Sequence, residues 1–410
     1  MRLALVGTVL AAAATVRAQG MGGWKTQGGL ELMTGQYFFN DSAGAVNGYA
    51  AGNIQLLRSM SSDSGFYLDG SASYTGFKQV NELAGGGTLF QQSANGSLGA
   101  KWVKRFDGGW SLKPRVGLRQ EFFRETVDEK WGRGLYDFQR YEAGVLLERK
   151  TRWGYEIPWT WQLSYDLYYT RYPNFQSLAT QFGTQQTAPN PGSRILDTVS
   201  NQIAFRNELD FPGFVSAWAF YSLSFISFTD QKVVQSQGQF LGTNRSDAYQ
   251  SLNLGVNKRF NDWEPLGRVR PVAALSFTIA DLISNQNDFD ADPSRLKFVG
   301  AFYDYWETRL APSLTTTFLA TKTVARLGAE AAMRRYTGRL AQNADGSYKG
   351  DKLAQYSGTV SLDAAQPVWR DLEVKLRASW SRTSANTAFE QTYQYSYSNY
   401  NYFAGLGWKF

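Results

Sequence analysis

Trp110-Ser111-Leu112-Lys113-Pro114-Arg115-Val116-Gly117-Leu118-Arg119-Gln120-Glu121-Phe122 is the stretch on which the fold turns. Its even positions carry Trp110, Leu112, Pro114, Val116, Leu118 and Phe122. Its odd positions carry Lys113, Arg115, Arg119 and Glu121. Successive side chains of a strand point to opposite faces, so this segment has one greasy face and one charged face. The same alternation returns on both sides of it. Tyr155, Ile157, Trp159, Trp161, Leu163, Tyr165, Leu167 and Tyr169 oppose Glu156, Gln162 and Asp166. Near the other end, Leu372, Val374, Leu376, Ala378 and Trp380 oppose Glu373, Lys375 and Arg377.

Working outward, the pattern predicts sixteen strands at 25–39, 46–59, 65–78, 90–106, 110–123, 135–150, 154–171, 196–211, 213–229, 246–260, 268–281, 303–320, 324–337, 354–365, 372–384 and 393–410. Fourteen or eighteen strands remain open. The uncharged run Pro212 to Thr229 is rich in Ser, Phe and Trp and reads as a strand, not a membrane helix. Short turns such as Asp107-Gly108-Gly109 and Phe211-Pro212-Gly213 alternate with longer polar stretches at 79–88, 124–134, 172–195, 230–245, 282–302 and 338–353. A transmembrane barrel with short turns at one rim and long loops at the other has this rhythm. The 172–195 stretch is the expected mobile loop.

A soluble β-sandwich also alternates, and three features weigh against it. The segments run roughly 13–18 residues, well beyond the typical strand of about 5–6. Trp102, Trp110, Trp153, Trp159, Trp263 and Trp369 cluster near the short turns, where amphipathic rings would meet a headgroup layer. The charges also segregate by phase. Lys101, Lys113, Arg115, Arg119, Arg140, Arg206, Arg259, Arg270, Arg309, Arg326, Arg334, Lys375 and Arg377 share a face with Glu31, Asp69, Glu121, Glu142, Glu148, Asp166, Glu208, Glu307, Glu330 and Glu373. A dry sandwich core could not host these charges unpaired, whereas a water-filled lumen can. The expected exceptions on the greasy face, Arg58, Lys104, Lys258 and Arg335, fall near strand ends where they could snorkel.

Met1-Arg2, the apolar run Leu3 to Thr15 and Val16-Arg17-Ala18 read as a secretory leader, with a mature chain from about Gln19. The remaining residues, 19–410, read as one barrel domain. Cys and His are both absent, so disulfide staples, the common zinc and haem ligand sets and a His-based catalytic triad are excluded. No cofactor or metal is expected, and no enzymatic activity. The net charge is +7, yet no basic run occurs, which reads as a mixed surface without a nucleic-acid patch. Gly85-Gly86-Gly87 lacks the context and lysine of a phosphate loop and reads as a plain loop.

The last residues, Tyr400-Asn401-Tyr402-Phe403-Ala404-Gly405-Leu406-Gly407-Trp408-Lys409-Phe410, place apolar side chains at alternate positions back from a terminal Phe. This resembles the closing strand of bacterial outer-membrane β-barrel proteins. The resemblance implies residence in outer-membrane lipid. It also implies recognition by the barrel assembly machinery, with Tyr402, Leu406, Trp408 and Phe410 as the signal. The oligomeric state is left open.

Three functions fit. The first is a porin-like channel passing small polar or anionic solutes, with the inward Arg and Lys residues as its selective lining. A bland reading competes, in which those cations are neutralised across strands, as in Glu307–Arg309 beside Arg326–Glu330. The second is a polysaccharide-export barrel working with periplasmic partners. Residues 380–387 and the Tyr-rich strand after them look somewhat like the closing hairpin of such barrels. For that reading Tyr393, Tyr395 and Tyr397 would form an inward track. The favoured alternative is a bulge near Ser398 that turns them outward as an interfacial belt. The third is a plugged structural or adhesive barrel.

Overall fold

A strand with one apolar and one polar face is stable in a bilayer only if its sheet closes, because an open edge leaves backbone donors and acceptors unpaired in hydrocarbon. The computed structural model shows that closure. It describes residues 23–40, 42–76, 92–124, 129–154, 156–175, 194–263, 268–290, 292, 296–390 and 394–410. The proposed leader, the Gly85–Gly87 run and most of the 172–195 stretch lie outside the described residues.

The strands are β1 (Trp24–Phe39), β2 (Ser42–Ser59), β3 (Ser64–Thr75), β4 (Gln92–Phe106), β5 (Trp110–Arg124), β6 (Phe138–Trp153), β7 (Ile157–Arg171), β8 (Thr198–Phe211) and β9 (Val215–Val234). They continue with β10 (Phe240–Arg259), β11 (Val269–Ser284), β12 (Asp288–Asp290), β13 (Lys297–Val299), β14 (Tyr305–Phe318), β15 (Thr323–Gln342), β16 (Tyr348–Trp369), β17 (Leu372–Ala385) and β18 (Tyr397–Lys409). All except β12 and β13 form one closed antiparallel barrel of sixteen strands. Each barrel strand pairs with its neighbours in sequence, β11 passing directly to β14 and β18 returning to β1. All sixteen expected segments are strands of this barrel.

The seam is closed by the C-terminus. β18 pairs with β1 from Phe39↔Asn399 to Gly29↔Lys409 without a register shift. Phe410 and Gly28 then exchange two backbone hydrogen bonds of 3.1 and 2.9 Å. A Cβ on Gly28 would fall 2.5 Å from the Phe410 ring, so the glycine makes the slot in which the terminal aromatic lies.

The rims differ as expected. Gly109, at φ 79°, lets β4 double back into β5; a Cβ there would stand 2.1 Å from the Lys150 carbonyl oxygen. At the opposite rim two stretches expected as loops are largely strand. β9 runs on to Val234 before β10 starts at Phe240, and β15 runs to Gln342 before β16 starts at Tyr348. Above the membrane a strand needs no greasy face, so alternation fades and strand reads as loop. The 282–302 stretch likewise holds the small hairpin β12–β13.

These protruding pieces pack into a collar. Gln286 Nε2 donates to the Lys232 carbonyl oxygen at 2.9 Å, and Gln286 Oε1 accepts from the Val234 amide at 2.9 Å. The Tyr348 hydroxyl donates to Asp290 at 2.7 Å. Arg245 lies 4.4 Å from the Phe228 ring centre and 4.1 Å from that of Tyr303. Ala341 and Leu353, 0% and 1% exposed, sit with Val233 and Val299 among the buried apolar residues of these segments.

On the barrel wall buried apolar residues such as Met33, Val103 and Ala204 are scattered, and most large apolar side chains lie outside. Leu254, Val256, Leu275, Phe277, Leu310, Leu314, Leu362 and Leu376 are exposed, and the registers place them on one common face. That face is the outer one, an apolar belt for lipid. Trp102, Trp153, Trp263 and Trp369 are exposed beside the short turns and girdle its lower edge.

Candidate functional site

The inner wall is built from rows of residues in register across neighbouring strands, and glycines set how charges lie in those rows. Arg115 on β5 pairs with Gly144 on β6, which pairs with Asp166 on β7. With no side chain between them, Arg115 reaches across two strand spacings and holds Asp166 with both Nε and Nη2, at 2.8 and 2.6 Å. A Cβ on Gly144 would sit 1.9 Å from Asp166 Oδ1. Asp166 is thereby only 2% exposed although it faces the lumen. One row along, Asp69, Gly99, Gly117 and Glu142 are in register on β3 to β6. The two acidic side chains fold over the two glycines, where Cβ atoms would come within 2.6 Å of the Asp69 carboxylate and 2.9 Å of Glu142 Cγ. The same device lays the Trp218 ring over Gly255. Side chains pressed flat against the wall keep the bore open.

Most of the remaining predicted charges join five clusters. Lys113 meets Glu148 at 2.8 Å, and Gln162 donates to the same carboxylate at 2.7 Å. Arg119 meets Glu121 at 2.9 Å, and Arg206 meets Glu208 at 3.3 Å. Glu307 accepts from Arg309 at 3.0 Å and from Arg334 at 2.7 Å, and Glu330 meets Arg309 at 3.3 Å. Lys375 bridges Glu31 at 2.6 Å and Glu373 at 3.2 Å, while Arg377 binds Asp363 at 2.9 Å and reaches Glu31 at 3.4 Å. The cross-strand members of these clusters, such as Lys113–Glu148, Arg334–Glu307 and Arg377–Asp363, tie neighbouring strands together.

Two details differ from the sequence reading. Glu330 pairs with Arg309 and not with Arg326, because Arg326 sits nearer the short-turn end of β15 and lies in register with Asp363. Arg259 and Arg270 are drawn to the rim: Arg259 stacks 4.0 Å from the Phe214 ring centre, and Arg270 grips Asp262 in the turn at 2.8 Å. The Arg270 guanidinium holds the Asp262 carboxyl below the usual carboxylate range.

Lys101, Arg140 and Arg326 have no ion pair among the described residues. Lys101 instead lies 4.9 Å from the Tyr67 ring centre, and Arg140 donates to Thr170 at 3.2 Å. Of the predicted wall carboxylates, Asp69 and Glu142 have no ion pair among the described residues. The paired charges cancel, and the remainder leans towards cation.

Sequence reasoning missed Arg105, Lys150 and Asp363. Each continues the inward phase of a segment already recognised, so the phase carried to the strand ends would have found them. The four expected cations of the outer face behave as strand-end residues. Lys104 pairs with Asp63, Lys258 donates to the Gly213 carbonyl oxygen at 2.6 Å, and Arg58 and Arg335 stack on Trp24 and Trp306. Arg149, Asp281 and Arg382 also take outer-face positions, and Arg149 lies 5.0 Å from the Trp110 ring centre.

The outward tyrosine belt is overturned. No register shift occurs near Ser398, so Tyr397 stays on the inner phase and stacks with Phe39 at 5.6 Å. Tyr395 is buried and bonded by Arg339 in the collar. Tyr393 lies outside the described residues. Tyr395 and Tyr397 therefore belong to different environments.

No family model matches the sequence, and no match is found among curated proteins. Solved structures do match in fold. CdiB from Acinetobacter baumannii is 10% identical with a TM-score of 0.48, over 93% of this chain and 60% of that longer one. OmpT of Vibrio cholerae is 10% identical with a TM-score of 0.44, over 95% of this chain and 98% of its own. A bacterial polysaccharide outer membrane secretin is 6% identical with a TM-score of 0.42, over 94% and 98%. The fold assignment stands on the chain's own geometry: a closed sheet, a lipid-ready outer belt and a charged inner wall. The chain folds as a closed β-barrel of sixteen antiparallel strands, with the apolar outer belt and charged inner wall of a membrane-spanning barrel.

Proposed function

We propose that the chain works in the bacterial outer membrane as a porin-like channel for small polar or anionic solutes, without catalysis. The observation that carries this reading is the inner wall itself. Charged and polar residues are folded flat over glycines, in a barrel of the size that leaves an aqueous bore. Paired charges line such a path without blocking it. The unpaired excess of Lys101, Arg140 and Arg326 over Asp69 and Glu142 favours anions modestly. Tyr402, Leu406, Trp408 and Phe410, at the seam, are proposed as the signal read by the assembly machinery.

The test is conductance of the refolded chain in a planar bilayer under a salt gradient. Open steps with a reversal potential displaced towards the anion's are expected. A silent trace would return weight to the export or plugged-barrel readings.

A further inference from the structure

Close to the short-turn rim the inner wall holds a recess of about 260 Å³ formed by β3, β4, β5 and β6. Its lining brings Lys101, Arg105, Lys113 and Lys150 around a single carboxylate, Glu148, with Tyr67 at one side. The registers explain the convergence. Arg105, Ser111 and Glu148 form one row, and Tyr67 and Lys101 lie in another, four residues away along β4. Glu148 is spoken for: Lys113, Gln162 and Ser111 hold it at 2.8, 2.7 and 3.3 Å. Among the described residues Lys101, Arg105 and Lys150 have no ion pair. Three cations thus share one small concave site with one already neutralised pair. Three like charges converging on a recess repel one another unless an anion joins them, and the recess focuses their field.

We propose that this recess is a binding site for a multiply charged oxyanion of the phosphate class, placed at the short-turn mouth of the bore. Tetrahedral oxygens suit three donors converging from β4 and β6, and ammonium and guanidinium groups give charge-assisted bonds to them. The free anion is favoured over a lipid headgroup, because the recess opens on the inner wall where no acyl chain lies. The proposal deepens the channel reading by giving it a solute class and a first halting place.

Inorganic phosphate is the probe, titrated calorimetrically into the detergent-refolded full chain at low ionic strength. Saturable binding is expected, weakened at least tenfold in the double variant Lys101→Gln/Lys150→Gln. It should be unchanged in Arg370→Gln, which removes one charge at a turn. Heat-modifiable gel migration confirms that each variant has closed its barrel. Absence of saturable binding to the wild-type chain overturns the site. So does equal binding by the double variant, or displacement by chloride as effective as by sulfate at matched ionic strength. The channel reading fails separately: a silent bilayer with saturable phosphate binding removes the channel and keeps the site. Open conductance without phosphate binding does the reverse.

Discussion

The barrel wall and the collar above it share most of their strands, yet they are held together differently. The wall buries only scattered apolar side chains such as Met33 and Val103. Leu254 or Leu376 faces lipid, while Arg115 and Asp166 face water and each other. Its cohesion comes from a closed hydrogen-bond ladder and from charged rows that span three strands. The collar has no lipid to receive greasy side chains, so it must bury them in protein. Val233, Val299, Ala341 and Leu353 do so around a framework of side-chain-to-backbone bonds from Gln286 and Asn287. The difference teaches that hydrophobic residues of one strand obey two rules, and that the solvent at each height decides which.

The largest expected effect breaks the collar and spares the wall. Leu353→Ala should cost about 2–5 kcal/mol of collar stability, the usual range for a buried leucine truncation. Accelerated amide exchange confined to the β9–β10 and β15–β16 hairpins, with unchanged exchange in the barrel, is the expected readout. Loss of protection throughout would show the two regions to be one cooperative unit.

A pair of substitutions then separates the two faces of the wall. Leu254→Arg places a charge on the lipid face and should cost about 2–4 kcal/mol in urea unfolding from lipid vesicles. Ser276→Arg, one strand away on the inner face, should cost far less and alter conductance instead. Equal costs would contradict the assignment of faces.

The smallest effect distinguishes the rims by pH. In the collar, burial raises the carboxyls of Asp288 and Asp304 above the usual range. The folded state then keeps those protons over a window where the unfolded chain has released them. Collar stability therefore falls as pH rises from the ordinary carboxylate value through the raised one. At the short-turn rim the sign is reversed. Arg270 and Lys104 lower the carboxyls of Asp262 and Asp63, so their contribution exists above the ordinary value and fades as pH falls through the lowered one. Exchange protection, corrected for intrinsic rates, should rise in the collar as pH falls towards the ordinary carboxylate value, and fall in the turns near Asp63 and Asp262 only as pH drops below that value. Parallel changes at both ends would refute the contrast.

The wall was legible in the sequence because lipid imposes a strict two-residue period. That period located sixteen strands and put Arg115, Asp166, Glu307 and Lys375 on one face. Pairing was less legible, since phase says which way Glu330 points but not which cation on the next strand lies at its height. The collar was almost invisible. Its strands have mixed surroundings, so residues 230–245 and 338–353 looked like loops. The turned-in Tyr395 depends on Arg339, far away in sequence, and no local signal announces it.

Gly144, Gly99 and Gly117 carry no charge, yet they govern where the charges of the bore reside. Adding a methyl group at any of them would lift a carboxylate off its bed and swing it towards the axis. Calibre is therefore written in the smallest residue, and a relative could narrow or widen its passage without gaining or losing a single ionisable group.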